Sequence, residues 1–336
     1  MKLVLATPNF HQPRGNTVTV QRIANGLEKL GVDTEIISIT DDSLHTLPDA
    51  DLLHGFHAYR FYKFLNKLNK KSKSYVITLT GTDLNHNLFD PDTRNDVLAC
   101  LKNAEAIHVF NEEAKQIIEA EAKEVLPKLF FLPQGASQFN IVDYRVSKEA
   151  NTFLFVLPAG IRKVKNIPFA IELLKELYQK NNKIRLWLIG PIIEDVEGKQ
   201  VTALVEKNKE WVKYLGQVPH DEMGLVYHQA DCVLNTSVTE GQPSTVIEAM
   251  GHGLPVLVSD NHGNTSIVSH QKTGWIYSTA NQFLDCAEQI VNNIELRQSI
   301  GKHAKQYIAE HHSSEHEAEF LLSVYQRILK ELDASK

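Results

Sequence analysis

Cysteine is scarce in this chain. Cys100, Cys232 and Cys286 are its three cysteines; they lie far apart and form no Cys-x-x-Cys pair. That excludes a disulfide framework and the common zinc spacings, and it agrees with a reducing, cytoplasmic compartment. No run of about 18 apolar residues occurs, so no membrane-spanning helix is expected. The apolar stretch in the opening MKLVLATPNF is too short for a secretory signal. Concentrated positive charge is also missing. The formal net charge is -6 with lysine and arginine spread along the sequence, so nucleic acid is not an expected partner. The first apolar run leads into ATPNFHQPRGN without G-x-G-x-x-G, and no G-x-x-x-x-G-K-[ST] loop is present; both dinucleotide and P-loop chemistry lose their main signal. No short-period repeat appears, and the one biased tract is a lysine-rich patch. What remains is an ordinary globular composition, 43% hydrophobic and 23% charged, over 336 residues, more than one hydrophobic core usually serves.

Two domains are therefore expected, and the order of elements gives their class. Short β-branched runs alternate with stretches of helical period, the pattern of parallel strands joined by crossover helices. In the first half the strands read as Leu3 to Thr7, Thr34 to Ile39, Asp51 to Gly55, Tyr75 to Thr80, Ala106 to Phe110 and Leu129 to Leu132. A helix over Thr17 to Leu30 sets Val20, Ile23, Ala24, Leu27 and Leu30 on one face, and Gly31 stops it. After Leu132 the segment PQGASQFNIVDYRVSKEAN loses its period and marks a linker. The alternation then resumes with Thr152 to Leu157, Arg185 to Ile189, Lys213 to Leu215, Asp231 to Asn235, Pro255 to Ser259 and Gly274 to Tyr277. The expected fold is α/β, with two Rossmann-like doubly wound domains over residues 1–147 and 148–312 and a closing helix over 313–336. Open sheets of this kind bind ligands beyond the carboxyl ends of their strands, so a site is sought there, in a cleft between the domains.

The densest signal is Ser237 to Asn264, SVTEGQPSTVIEAMGHGLPVLVSDNHGN. It follows a strand, and a Gly-Gln-Pro-Ser turn opens a helix whose unpaired amides form a ready anion site, suited to a diphosphate. Glu240 on the loop and Glu248 in the helix are acceptor-only groups suited to vicinal hydroxyls of a sugar or ribose. Thr245 and Glu248 also have the spacing of a capping box, which alone accounts for Glu248; Glu240 has no such explanation. A second cluster, Arg162, Lys163 and Lys165, stands just before the helix that begins near Ile167. Cations at a helix start oppose its dipole, so either a bound anion or plain solvation explains them.

The Ser237–Asn264 segment resembles the E-x7-E signature of retaining GT-B glycosyltransferases of the group 1 type, EGxPxxxxEAMxxGxPVxxxxxGG, with His262 and Asn264 flanking Gly263. The resemblance implies that Glu240 contacts the donor sugar, Glu248 the nucleotide ribose, and the amides of Gly241, Gln242, Ser244 and Thr245 the diphosphate. It further implies that Lys165 and Arg162 stabilise the leaving diphosphate; Arg162 stands three residues before the lysine where the family pattern has five. Gly15 and Asn16, in Arg14-Gly15-Asn16-Thr17, are similar to the glycine-rich loop that approaches donor phosphate. TGTD from Thr80 is similar to an H-G-T-D segment with threonine in place of the histidine. Together with Gly15, Asn16, Thr19, Arg22 and the HAYR of His57 to Arg60, these features are most similar to the branch holding glycosyltransferase 1 domain-containing proteins and selenosugar synthases.

The activity this implies is metal-independent retaining transfer of a hexosyl or N-acetylhexosaminyl group from a nucleotide-sugar, with a UDP-sugar as expected donor and substrate, no separate cofactor, no metal ligand and an acceptor not named by the sequence. A GT-B-like epimerase or phosphorylase lacks its own motifs here. A non-catalytic nucleotide-sugar-binding or partner subunit is the alternative from another class. His54 and His57 read equally as acceptor contacts or as satisfied strand-end histidines. Lysines 63, 67, 70, 71 and 73 interleave with Phe61, Phe64, Leu65 and Leu68, as on a surface helix or one in weak peripheral contact with a membrane.

Overall fold

The computed structural model describes residues 1–11, 15–41, 46–68, 73–137, 139 and 147–334. Arg14, Lys70 and Lys71 lie outside the described residues. The chain forms two compact units, Met1–Gly135 with His312–Lys336 and Ala136–His311, divided at 135/136 and 311/312 where the sequence reading placed 147/148 and 312/313. Every strand expected from the sequence is present, with ends shifted by two residues at most.

In the first unit the chain runs β1 (Lys2–Thr7), α1 (Gly15–Lys29), β2 (Asp33–Ser38), β3 (Leu52–Phe56), α2 (Ala58–Lys67), β4 (Tyr75–Thr78), α3 (Arg94–Asn103), β5 (Ala106–Val109), α4 (Glu112–Glu121) and β6 (Leu129–Phe131). The six strands are parallel in the order β2-β1-β3-β4-β5-β6. Alternate side chains of each strand enter opposite faces. Val4 and Ala6 pack with Phe61 and Phe64 of α2 and Val97 and Leu101 of α3, whereas Leu3 and Leu5 pack with Val20, Ile23 and Leu27 of α1. The apolar stripe of α2 is thus spent on the core. On its polar side Lys63 lies 3.9 Å from Asp96, and farther on Lys73 pairs with Asp49 at 2.9 Å. This is a surface helix of the domain. Strand β4 ends two residues early because Asp83 captures the Thr80 backbone N–H at 2.7 Å.

The second unit runs β7 (Phe153–Pro158), α5 (Ile167–Lys180), β8 (Ile184–Ile189), α6 (Asp195–Lys207), β9 (Val212–Tyr214), α7 (Met223–Gln229), β10 (Cys232–Asn235), α8 (Ser244–Gly251), β11 (Val256–Ser259), α9 (His262–Thr265), β12 (Trp275–Tyr277), α10 (Ala280–Asn292) and α11 (Ile294–His311). Its six parallel strands are ordered β12-β11-β10-β7-β8-β9, the Rossmann order, with helices on both faces. The last helix, α12 (Ser314–Ala334), belongs to the first unit and packs along α1 through Leu321, Val324, Tyr325 and Ile328. A buried bidentate pair, Arg22 Nε and Nη2 to Glu317 at 2.8 and 2.9 Å, joins the two helices. No helix among the described residues is long and apolar enough to cross a membrane.

Candidate active site

A doubly wound sheet opens a crevice where its strand order reverses, because the connections leave the two central strands in opposite directions. In the second unit that point lies between β7 and β10. The two charged motifs emerge from the carboxyl ends of these strands. Beyond β7 the chain passes Arg162 into a 3₁₀ turn over Lys163–Lys165, and Asn166 at φ 50° turns it into α5. Beyond β10 come Thr236, Ser237 and Glu240. The two loops are stitched together: Val238 N–H donates to the Val164 carbonyl at 2.8 Å and Thr236 Oγ1 to the Lys165 carbonyl at 2.8 Å.

That stitching places Lys165 against Glu240. Lys165 Nζ donates to Glu240 Oε1, and the same oxygen accepts from Ser237 Oγ at 2.6 Å and Asn235 Nδ2 at 3.2 Å. Both side chains are mostly shielded, 15% and 12% exposed. Burial alone raises the Glu240 carboxyl; the Lys165 charge and the hydrogen bonds from Lys165, Ser237 and Asn235 outweigh it and hold the group below its usual range, so it is ionised. No described residue donates to Oε2, so one oxygen is anchored and the other is open to a ligand. The Arg162 side chain makes no hydrogen bond or ion pair with any described residue, and its Nε is buried without a partner. A buried guanidinium N–H left unpaired is costly, and an anion at this point would satisfy it.

The Glu240 loop rests on a polar platform. Ser259 Oγ and Asn261 Nδ2 donate to the Ser237 carbonyl at 2.6 and 2.9 Å, and Asn264 Nδ2 donates to the Ser259 carbonyl at 2.9 Å. Gly263 passes so close that a Cβ there would stand 2.6 Å from both the Cβ and the carbonyl oxygen of Glu240. Since backbone cannot yield cheaply, Gly263→Ala is expected to shift the Glu240 loop. Activity should fall about ten- to a hundredfold in a protein that still folds, because a misplacement of about 1 Å is enough for that loss. Unchanged turnover would show that the loop tolerates the shift.

Helix α8 begins at Ser244 with Pro243 as its N-cap, and no side chain caps it. Gly241 and Gln242 precede it on the loop, and Ser244 and Thr245 contribute the first-turn amides. The capping-box reading of Thr245 and Glu248 is overturned. Thr245 sits inside the helix, and the buried Glu248 carboxylate turns away from the N-terminus to accept from Tyr227 Oη at 2.9 Å and His220 Nε2 at 2.8 Å. Asn235, Ser237, His220 and Tyr227 were not singled out from the sequence; a polar Asn-Thr-Ser run at the end of a strand was the one available signal.

Gly15 and Asn16 belong to the first unit, where they open α1 beyond β1. The order of that sheet reverses between β1 and β3. His54, on β3, is fully satisfied in the core: its ring nitrogens meet Tyr325 Oη and Thr78 Oγ1, each at 2.6 Å. His57 follows β3 with φ 72° and accepts from Arg60 N–H to cap α2. Asp83 of the TGTD segment is buried and spends its carboxylate on Thr80 N–H and Oγ1 and on Ala58 N–H, tying β4 to the start of α2. Among the described residues no group of three or more His, Cys, Asp or Glu is placed to hold a metal ion.

Comparison with known proteins agrees with this arrangement. The profile of the glycosyl transferases group 1 family matches residues 138–307. Glycosyltransferase 1 domain-containing protein 1 of Xenopus tropicalis is 26% identical over 265 residues, 76% of this chain and 75% of that protein. Alpha-monoglucosyldiacylglycerol synthase of Acholeplasma laidlawii is 31% identical over 156 residues, 46% of this chain and 38% of that protein. Two solved structures share the fold. Anabaena Alr3699/HepE in complex with UDP and glucose has a TM-score of 0.77 at 15% identity, covering 97% of this chain and 100% of that one. Sucrose-phosphate synthase of Thermosynechococcus elongatus has a TM-score of 0.80 at 16% identity, with 100% of both chains covered. The two parallel sheets with their flanking helices are thus those of the GT-B fold, and the chain belongs to the glycosyl transferases group 1 family.

Proposed function

We propose that this protein is a retaining, metal-independent glycosyltransferase that moves a hexosyl or N-acetylhexosaminyl group from a UDP-sugar to an acceptor. The observation that carries the reading is the set of two cations at the switch point: Lys165 anchored on Glu240, and Arg162, three residues earlier, with its Nε buried and unpartnered among the described residues. As the bond between the anomeric carbon and the diphosphate breaks, negative charge gathers on the leaving group. Lys165 uses one of its three N–H donors on Glu240 and has two for phosphate oxygens; Arg162 and the amides of Gly241, Gln242, Ser244 and Thr245 supply the rest. Glu240 Oε2 accepts from sugar hydroxyls and Glu248 from the ribose. The acceptor hydroxyl attacks from the face the diphosphate leaves, and its proton passes to a diphosphate oxygen, so no separate base is required. The UDP and glucose bound by the Anabaena protein of the same fold support the choice of donor. The three cysteines, all buried and unpaired, support a cytoplasmic setting.

The test is a thermal-shift and calorimetry panel with UDP, GDP, ADP, UDP-glucose, UDP-N-acetylglucosamine and GDP-mannose, with magnesium and with a chelator. UDP and one UDP-sugar should stabilise the protein equally in both conditions, by about 2.7 kcal/mol at a hundred times the dissociation constant. Stabilisation by a guanine or adenine nucleotide alone would overturn the donor. Silence toward all six would turn the reading to a non-catalytic partner subunit.

A further inference from the structure

Glu240 and Glu248 are presented in contrasting ways. Glu240 offers one open oxygen, whereas each oxygen of Glu248 already has a donor: Tyr227 Oη at 2.9 Å on Oε2 and His220 Nε2 at 2.8 Å on Oε1. Tyr227 comes from α7 and lies wholly in the core. Burial, with Glu248 alongside, pushes its phenol far up, so it keeps its proton and acts as a fixed donor. His220 comes from the 3₁₀ turn His220–Glu222 and is 38% exposed, against 3% for Glu248, so it is the partner that solvent and a ligand reach. An aromatic shell closes round them: the Phe139 ring lies 4.9 Å from His220 and 5.9 Å from Tyr227, and the His252 ring 5.3 Å from Tyr227.

The geometry points to Tyr227 and His220 as positioning residues that lock the Glu248 carboxylate in one orientation for recognition of a vicinal diol. A carboxylate has about four lone-pair sites. Two are taken here, one on each oxygen, which leaves one on each oxygen to accept from two adjacent hydroxyls. Without the two donors the carboxylate turns freely about its last bond, and the bidentate match is lost to solvent competition. This inference rests on reading Glu248 as the ribose carboxylate and adds the residues that make it one.

Calorimetry with UDP and with 2′,3′-dideoxy-UDP separates the possibilities. Glu248→Gln should weaken UDP by tenfold or more and leave the dideoxy analogue within about twofold. Tyr227→Phe and His220→Leu should each weaken UDP about five- to tenfold, again sparing the analogue. His220→Gln, which restores an N–H at the same reach, should recover most of the loss. In turnover the donor KM should rise with kcat near the wild-type value, the mark of binding lost equally in ground and transition states. A merely structural role would weaken both nucleotides together. If Tyr227→Phe does not fold, the half-exposed His220 variants carry the test alone. UDP affinity unchanged in the Tyr227 and His220 variants, with Glu248→Gln still defective, would overturn the positioning role. UDP affinity unchanged in Glu248→Gln would overturn the ribose reading itself, and this inference with it.

Discussion

Lys165→Ala and Glu240→Ala are each expected to lower kcat by at least about 10²–10³, the cost of losing one preorganised charged group at a developing charge. The two losses should differ in kind. Removing Lys165 takes away phosphate donors and leaves the shielded Glu240 carboxylate with only Ser237 and Asn235, so UDP binding weakens along with turnover. Removing Glu240 frees Lys165 from its ion pair, so UDP itself, which lacks the sugar, should bind at least as well as in the wild type while transfer fails. Because the pair acts as one unit, the double variant should be little worse than the poorer single one. UDP release from the UDP-sugar that stabilises the protein in the panel, with water serving as acceptor, gives the rate, and calorimetry with UDP gives the affinity. Each substitution strands a shielded polar group and should cost about 1–3 kcal/mol of stability, so melting curves must show a folded protein before the kinetics are read. Wild-type turnover in both single variants would remove these residues from the site.

How far the sequence carried this picture depended on whether partners were near in the chain. The central strands were legible because they are buried on both faces and read as apolar runs, as Leu3 to Ala6 and Phe153 to Leu157 do. Glu240 and Lys165 were legible as candidates because each sits in a short motif past a strand end. Their pairing was not, since 75 residues separate them and only the adjacency of β7 and β10 brings the loops together. Glu248 shows the converse, a local pattern that the fold does not use. Its spacing from Thr245 fits a capping box, but the helix starts at Ser244, and the carboxylate is claimed by His220 and Tyr227, 28 and 21 residues away. His54 was ambiguous for the same reason. Its partners Thr78 and Tyr325 are distant in sequence, and nothing in Leu-Leu-His-Gly-Phe announces them. Asp83 was legible only as part of a resembling segment; its use as a clamp on two backbone N–H groups follows from where β4 ends beside α2.

The stability of the first unit is expected to fall as pH drops from about 6.5 toward 4, and the cause is a chain of buried polar groups in which every proton has one place. His108 Nε2 lies 2.9 Å from the Leu132 carbonyl, which only accepts, so Nε2 carries the proton and Nδ1 must accept from Thr78 Oγ1, also at 2.9 Å. With its own proton so directed, Thr78 accepts from His54 Nε2, and His54 Nδ1 in turn accepts from the Tyr325 hydroxyl. Both imidazoles are therefore neutral, and a second proton on either would set donor against donor. Burial depresses both groups, His108 to about 4 and His54 well below its ordinary value. Between 6.5 and 4 the unfolded chain takes up protons that the folded unit refuses, so stability is fully present above 6.5 and declines as the pH falls. For His108 alone the loss approaches about 3 kcal/mol. Urea unfolding at pH 7.5 and 4.5 reads it, and His108→Gln isolates it, since glutamine keeps one donor and one acceptor but cannot titrate. The variant should start less stable at pH 7.5 and lose about 2–3 kcal/mol less than the wild type on acidification. An equal loss in both would mean that the carboxylates, not this chain of groups, govern acid unfolding.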